Sequence, residues 1–233
     1  MTRKEYLNII FSTYNLVSVL SDKNDSNVLH LRHKTLNKDI ILRSYKTTIS
    51  AYERFANVKH KNLPLIYDSI SLDDGQIILE EYIKGITVAQ VMESSSYTLK
   101  GARFVFCEVC KALSVLHSYN IVHRDVKPEN IIVDDQGRVV LVDFNAAREI
   151  STAKRDTVIM GTVGYASPEQ LGISQSDART DIYAAGVLLN VMLTGNHPSY
   201  QLARGKAGRI VKKCTAINPN DRYQSAMHLF NAL

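Results

Sequence analysis

The stretch "IVHRDVKPENIIVDD", Ile121 to Asp135, sets two apolar runs around eight residues that carry an acid, a base and an amide. Short runs of β-branched residues bounded by polar turn formers read as buried strands. Strands on both sides pin the loop between them, so Asp125, Lys127 and Asn130 can point into one space. That layout suits chemistry. An aspartate can accept a proton from an approaching hydroxyl, and a lysine can balance negative charge that develops as a group is transferred. An amide offers a neutral oxygen to a hard divalent cation. Further along, "LVDFN" puts Asp143 at the end of a second buried strand, as another oxygen ligand aimed at the same space.

The bulk numbers leave room for this reading and narrow the rest. A chain of 233 residues, 45% hydrophobic and 22% charged, is ordinary for a soluble protein and long enough for one large domain or two small lobes with real cores. Its richest apolar run, "AAGVLLNVML", is far shorter than the roughly 18 residues of a membrane span and is broken by Asn190. The start, "MTRKEYLNIIFSTYN", has too brief an apolar stretch for a signal peptide, so the expected location is cytoplasmic. Three cysteines do not make a disulfide framework, and Cys107 and Cys110 lack the second ligand pair that a zinc site needs. A net charge of +5, with the cations scattered and no aromatics interleaved, implies no nucleic-acid partner, and no membrane partner is expected either.

Along the chain the pattern changes once. "YNLVSVL", "NVLHLRHK", "DIILRSYK", "LIYDSISL" and "QIILEEYI" read as strands, with a helical spacing in "TTISAYERFANVKH" between the third and fourth. After "YIKGIT" helical periodicity takes over: "TVAQVMES", then "KGARFVFCEVCKALSVLHSYN" with Phe104, Cys107, Val109, Cys110, Leu113 and Leu116 along its apolar face, and later "TDIYAAGVLLNVMLTG". The expected fold class is α+β, with a small β-rich lobe over residues 1–83 and a larger α-helical lobe over residues 84–233.

"HRDVKPEN", "VDFN", "GTVGYASPEQ", "TDIYAAGVLL" and "NPNDRY", in this order, resemble the signature set of the eukaryotic-type Ser/Thr protein kinases, over essentially the whole chain. The resemblance implies a bilobal protein-kinase-like fold and an ATP-dependent, Mg²⁺-dependent transferase acting on Ser/Thr hydroxyls of protein substrates, with room for Mn²⁺ in place of Mg²⁺ and for a regulatory protein as partner. By the same resemblance Asp125 is the catalytic base, Lys127 contacts the γ-phosphate, and Asn130 and Asp143 hold the metal. The adenine contacts implied are Val28, Ile41 and Ile132, with backbone bonds from Glu81 and Ile83. His123 looks like a packed backbone organiser, Arg124 like the arginine that receives an activation-segment phosphate, Asp181 like the carboxylate that fixes the loop's backbone, and Glu169 with Arg222 like a structural ion pair. Ser151, Thr152 and Thr157 are the candidate phosphorylation sites.

The β-rich part departs from that pattern. "LSDKNDSNV" falls where a Gly-rich loop belongs, with Ser21, Lys23 and Ser26 in the glycine places, so the phosphate grip is weaker or differently made; the same residues also read as a solvated hairpin turn. Arg43 replaces the usual lysine, and its usual glutamate partner is missing, because Ala51 stands at that position and Glu53 is displaced around the helix. Glu80 occupies the gatekeeper position, where a carboxylate is costly unless paired, and Arg43 is the expected partner. Asn145 stands where the family has glycine, and asparagine's tolerance of left-handed angles should preserve the placement of Asp143. The missing glycines, Arg43, the absent helix glutamate and Glu80 support an alternative, a pseudokinase that binds or regulates with weak or no ATP turnover.

Overall fold

Thr2 and Glu5 close a capping box at the start of the chain: the Thr2 hydroxyl accepts from the Glu5 N–H, and the Glu5 carboxylate accepts from the Thr2 N–H. The helix they start, α1 (Arg3–Thr13), was not read from the sequence. It buries Tyr6 and Ile10, one turn apart, while its other faces stay polar or exposed. Arg3 ties its first turn down, with Nε 2.8 Å from Asp74 Oδ2 and Nη2 donating to the Tyr45 carbonyl at 2.9 Å. Tyr6 donates its hydroxyl to Asp68.

The structure, a computed structural model, describes residues 2–56, 58–150, 162, 164–171 and 175–233. It divides into two compact units, Met1–Lys59 with Pro64–Ile83, and His60–Leu63 with Lys84–Leu233.

In the first unit α1 leads into β1 (Tyr14–Lys23), β2 (Ser26–His33) and β3 (Asp39–Tyr45), then α2 (Ser50–Phe55), β4 (Ile66–Leu72) and β5 (Gly75–Glu81). The five strands form one antiparallel sheet in the order β1-β2-β3-β5-β4. Strand alternation sorts its side chains. Leu31, Ile40, Leu42, Ile77 and Leu79 share one face and pack with Tyr6 and Ile10 of α1. Val28, Ile41, Arg43, Ile78 and Glu80 share the other, as the register pairs Val28 with Arg43, Ile41 with Glu80 and Arg43 with Ile78. Gly75 turns the β4–β5 hairpin at φ 132°, where a Cβ would meet the Tyr45 carbonyl oxygen at 2.0 Å, so the position excludes any side chain. The helix α2 covers less of the "TTISAYERFANVKH" stretch than its spacing suggests.

The second unit holds β6 (Gly85–Thr87), α3 (Val88–Ser94), α4 (Leu99–Ser118), β7 (Ile121–Val122), β8 (Ile131–Asp134), β9 (Val139–Leu141), β10 (Arg148–Glu149), α5 (Ala178–Thr194), α6 (Gly205–Cys214) and α7 (Ala226–Ala232). β6, β8 and β9 make one small sheet and β7 pairs with β10. In α4 the buried side is set by Val105, Phe106, Val109, Cys110, Leu113 and Leu116. Phe104, expected inside, is 51% exposed, because the buried arc is centred one residue further round the helix. α5 is buried along almost its whole length and stops at Gly195, whose φ of 71° provides the left-handed C-terminal cap.

Segment 60–63 joins the second unit through polar contacts. Asn62 donates to the Val139 carbonyl at 2.7 Å and to Glu108 Oε2 at 2.9 Å, and Leu141 N–H donates to the Asn62 carbonyl. Lys61 and Lys111 complete the surroundings of Glu108. Burial alone would raise this carboxyl, but the hydrogen bonds from Lys111, Lys61 and Asn62 prevail and lower it from the ordinary 4.5 to about 2. Its partners therefore stabilise the fold fully above the ordinary value, and that contribution is lost as pH falls from 4.5 toward 2. Glu108→Gln should lower stability at neutral pH and flatten the acid decline across this window, which urea unfolding at a series of pH values measures.

Candidate active site

The loop between β7 and β8 is pinned as the apolar runs on either side require: Ile121, Val122 and Ile131 are buried, and a single 3₁₀ turn at Pro128–Asn130 closes it. Its backbone is fixed from below by Asp181, a fully buried residue in the first turn of α5. Asp181 Oδ2 accepts from His123 N–H at 2.9 Å and from His117 Nε2 at 2.8 Å, and Oδ1 accepts from Arg124 N–H at 2.8 Å. Arg124 takes a left-handed φ of 67° within this clamp, and Gln170 Nε2 donates to its carbonyl at 2.8 Å. His123 is fully buried; Nε2 lies 3.2 Å from the Val142 carbonyl and Nδ1 accepts from Asp125 N–H, so the ring braces the loop against the chain leading to Asp143. Burial lowers its pKa and keeps it neutral.

Four side chains meet on this base. Asn130 Nδ2 donates to the Asp125 carboxylate and to its carbonyl, each at 2.9 Å. Lys127 Nζ lies 2.8 Å from Asp125 Oδ2 and donates to Thr162 Oγ1 at 2.6 Å, and Thr162 in turn donates to Asp125 Oδ1 at 2.7 Å. Burial would raise the Asp125 carboxyl, yet the Lys127 and Thr162 hydrogen bonds and the Lys127 charge hold it below the usual value. Thr162 carried no role in the sequence reading. It sits in the quoted "GTVGYASPEQ", but 37 residues separate it from Asp125 and no spacing rule spans that distance.

Asp143 follows β9 beyond its last paired residue, and its own φ is 69°. The left-handed position is therefore Asp143 itself and not Asn145, which is absent from the positive-φ residues. Phe144, buried beside it, sets its ring edge-on to His123 at 5.1 Å. The Asn130 nitrogen is committed to Asp125, which leaves its oxygen as the atom for a cation, and Asp143 supplies a carboxylate; both are hard oxygen donors of the kind Mg²⁺ takes. Among the described residues no three acidic, His or Cys side chains gather as a metal cage. Ile132 lies in β8, opposite Thr87 and Val140. Glu169 and Arg222 form a two-pronged pair at 2.6 and 2.9 Å, with Arg222 also donating to the Ala216, Arg179 and Ile217 carbonyls, a set that ties chain segments together.

In the first unit the remaining candidates lie on the sheet. Arg43 Nε is 2.6 Å from Glu80 Oε1, and both side chains are buried. Glu53 is exposed and accepts from Ser71 instead, while Ala51 is buried. Ser21 pairs with Val28 across the β1–β2 ladder, which continues to Lys23 and Ser26 and turns on Asn24 and Asp25 alone. The "SDKNDS" stretch thus forms the tip of the β1–β2 hairpin. Glu81 N–H is used by the Leu65 carbonyl at 2.8 Å, so the backbone bond assigned to this residue falls to its carbonyl; Ile83, buried, ends the unit. Ser151, Thr152 and Thr157 lie outside the described residues.

The sequence pattern described as "Protein kinase domain" matches residues 16–231. The chain belongs to that family. The match begins after α1, which stands outside the shared pattern. Kinase relatives include the probable serine/threonine-protein kinase CPE1738 of Clostridium perfringens, 34% identical over 72% of this chain and 24% of its own length. PknB of Mycobacterium tuberculosis is 29% identical over 93% of this chain and 41% of its own, and human Sgk1 is 32% identical over 95% and 55%. The chain thus spans about a quarter to just over half of these curated relatives. The kinase fold is shared with the crystal structure of the Mycobacterium tuberculosis PknI kinase domain, with a TM-score of 0.73 over 95% of both chains at 20% identity. Protein kinases of this family use ATP and a divalent metal on protein substrates in general. No helix among the described residues is long and apolar enough to cross a membrane.

Proposed function

We propose that the chain is a catalytically competent Ser/Thr protein kinase domain that transfers the γ-phosphoryl group of ATP to protein hydroxyls in the cytoplasm, with residues 1–83 and 84–233 as its two lobes. One observation carries the reading: Asp125, Lys127, Asn130 and Thr162 are mutually hydrogen-bonded on a backbone clamped by Asp181. A module kept only for binding has no need of a cation held beside an ionised, half-buried carboxylate.

In this reading Asp125, ionised at neutral pH, orients the incoming hydroxyl and takes its proton. Lys127 faces the same carboxylate and places its charge where negative charge spreads over the transferred group. Thr162 holds both in register. Asn130 and Asp143 would hold Mg²⁺, or Mn²⁺ with the same oxygen donors; bound there, the metal neutralises the phosphate oxygens and aligns them. On the first unit Val28 and Ile41 offer apolar surface to the base, the Glu81 and Ile83 backbone offers hydrogen bonds, and Ser21 replaces a glycine beside the phosphates.

The departures that support a pseudokinase all lie in the first unit. A thermal shift with ATP and Mg²⁺ tests the reading: nucleotide at about 100 times its Kd adds roughly 2.7 kcal/mol of stability. A shift with transfer of labelled phosphate to a basic acceptor protein is the expected result. A shift without transfer supports a nucleotide-binding module, and no shift at millimolar nucleotide overturns the kinase reading in favour of the pseudokinase.

A further inference from the structure

Four of the cations that look scattered along the sequence are gathered by one helix. α6 buries Ala207, Gly208, Ile210, Val211 and Cys214 against the second unit and turns Lys206, Arg209, Lys212 and Lys213 to solvent on one face, with exposed Arg204 as its N-terminal cap. None of the five pairs with an Asp or Glu side chain among the described residues. Lys206 donates to the Leu233 carbonyl at 3.0 Å, and Lys213 lies 4.5 Å above the Tyr223 ring. No Asp or Glu occurs between Asp181 and Asp221, so the elements on either side bring no acid to offset them. Apolar side chains bracket the helix in the chain: Tyr200 is 87% exposed before it and Ile217 is 82% exposed after it.

We propose that this face docks the domain onto an anionic phospholipid surface. The proposal stands apart from the catalytic reading and departs from the expectation of no membrane partner. A single-sign face seeks a single-sign counterpart, and a run of Lys and Arg on an amphipathic helix is matched by acidic headgroups. A protein partner is disfavoured by the three lysines, because lysine is depleted from protein interfaces. A nucleic acid is disfavoured by the flanks, since aliphatic Ile217 offers nothing to a phosphate backbone but can enter the boundary between headgroups and acyl chains. The helix seats closely on α5 at Gly186, where a Cβ would lie 2.3 Å from the Cys214 Cβ.

The test is sedimentation of the whole chain with phosphatidylcholine vesicles containing phosphatidylserine, against phosphatidylcholine alone, at low salt. Binding to the acidic vesicles only is expected, with about fivefold loss per cation removed and roughly 100-fold loss for Arg209→Gln/Lys212→Gln/Lys213→Gln. Removing as many charges elsewhere, in Lys4→Gln/Lys23→Gln/Lys100→Gln, should leave binding within a few-fold of the parent, and unchanged melting shows that both variants fold. Because the chain has no tryptophan, Ile217→Trp adds a single reporter whose emission should shift to the blue on the acidic vesicles. Equal binding to both vesicle types, undiminished binding by the α6 variant, an unshifted reporter, or tighter capture by duplex DNA or an acidic peptide would each overturn the proposal.

Discussion

Asp125→Asn is expected to lower phosphoryl transfer by about 10²–10⁴-fold, the range of a positioned general base, while nucleotide binding persists. The substitution keeps the side chain's shape and removes its charge. Asp125 is surrounded only by donors: Thr162 Oγ1 on one oxygen, Asn130 Nδ2 and Lys127 Nζ on the other. An asparagine can offer one acceptor, so its NH₂ must face a donor in either orientation. If it faces Thr162, that hydroxyl can reverse and accept; if it faces Lys127, a half-buried cation loses its carboxylate partner. The first arrangement is cheaper, and a stability loss of about 1–3 kcal/mol is expected. Because the Asp125 pKa is depressed, transfer by the parent should be flat through neutral pH and fall only in acid, as the base becomes protonated. Labelled-phosphate transfer measured across pH, beside ATP binding by thermal shift, separates a lost base from a lost fold. Wild-type transfer by this variant removes Asp125 from the chemistry.

The residues of that cluster were legible because short spacings set them: Asp125, Lys127 and Asn130 lie within one loop pinned by two apolar runs, and loops pinned by strands have few conformations. Arg43 with Glu80 was legible for another reason. Strand alternation places them on one face, and a carboxylate inside a sheet needs a counter-charge. Thr162 escaped because its contact depends on a long path through the fold. The helix α1 escaped although "TRKE" carries a capping box, because only Tyr6 and Ile10 are buried and two residues make a faint periodic signal. The basic face of α6 was invisible to charge counting for a related reason: Lys206, Arg209 and Lys213 converge only once the helical turn is imposed.

Arg43 and Glu80 give the largest stability effect expected in the first unit. Their side chains are buried on the face that also carries Val28, Ile41 and Ile78, so each charge has given up water and is stabilised by the pairing. Arg43→Met or Glu80→Leu alone should cost about 3–5 kcal/mol, because each removes one side of a buried ion pair. Changing both should restore stability to near the parent or beyond it, since apolar replacement of a buried pair is neutral or stabilising by about 1–4 kcal/mol. Urea unfolding of the parent, both single variants and the double variant measures the coupling directly, and single losses that simply add would show that the contact carries no energy. Arg43→Lys should not rescue the Arg43→Met loss in full, for an ammonium is not equivalent to the guanidinium whose Nε meets Glu80 Oε1 here. If the double variant is stable and still binds ATP, the pair is an internal tie that keeps a glutamate tolerable beside an apolar surface. If it is stable but loses ATP affinity, the arginine also serves the nucleotide, and the charge that Glu80 holds in place has taken over part of the work usually done by lysine.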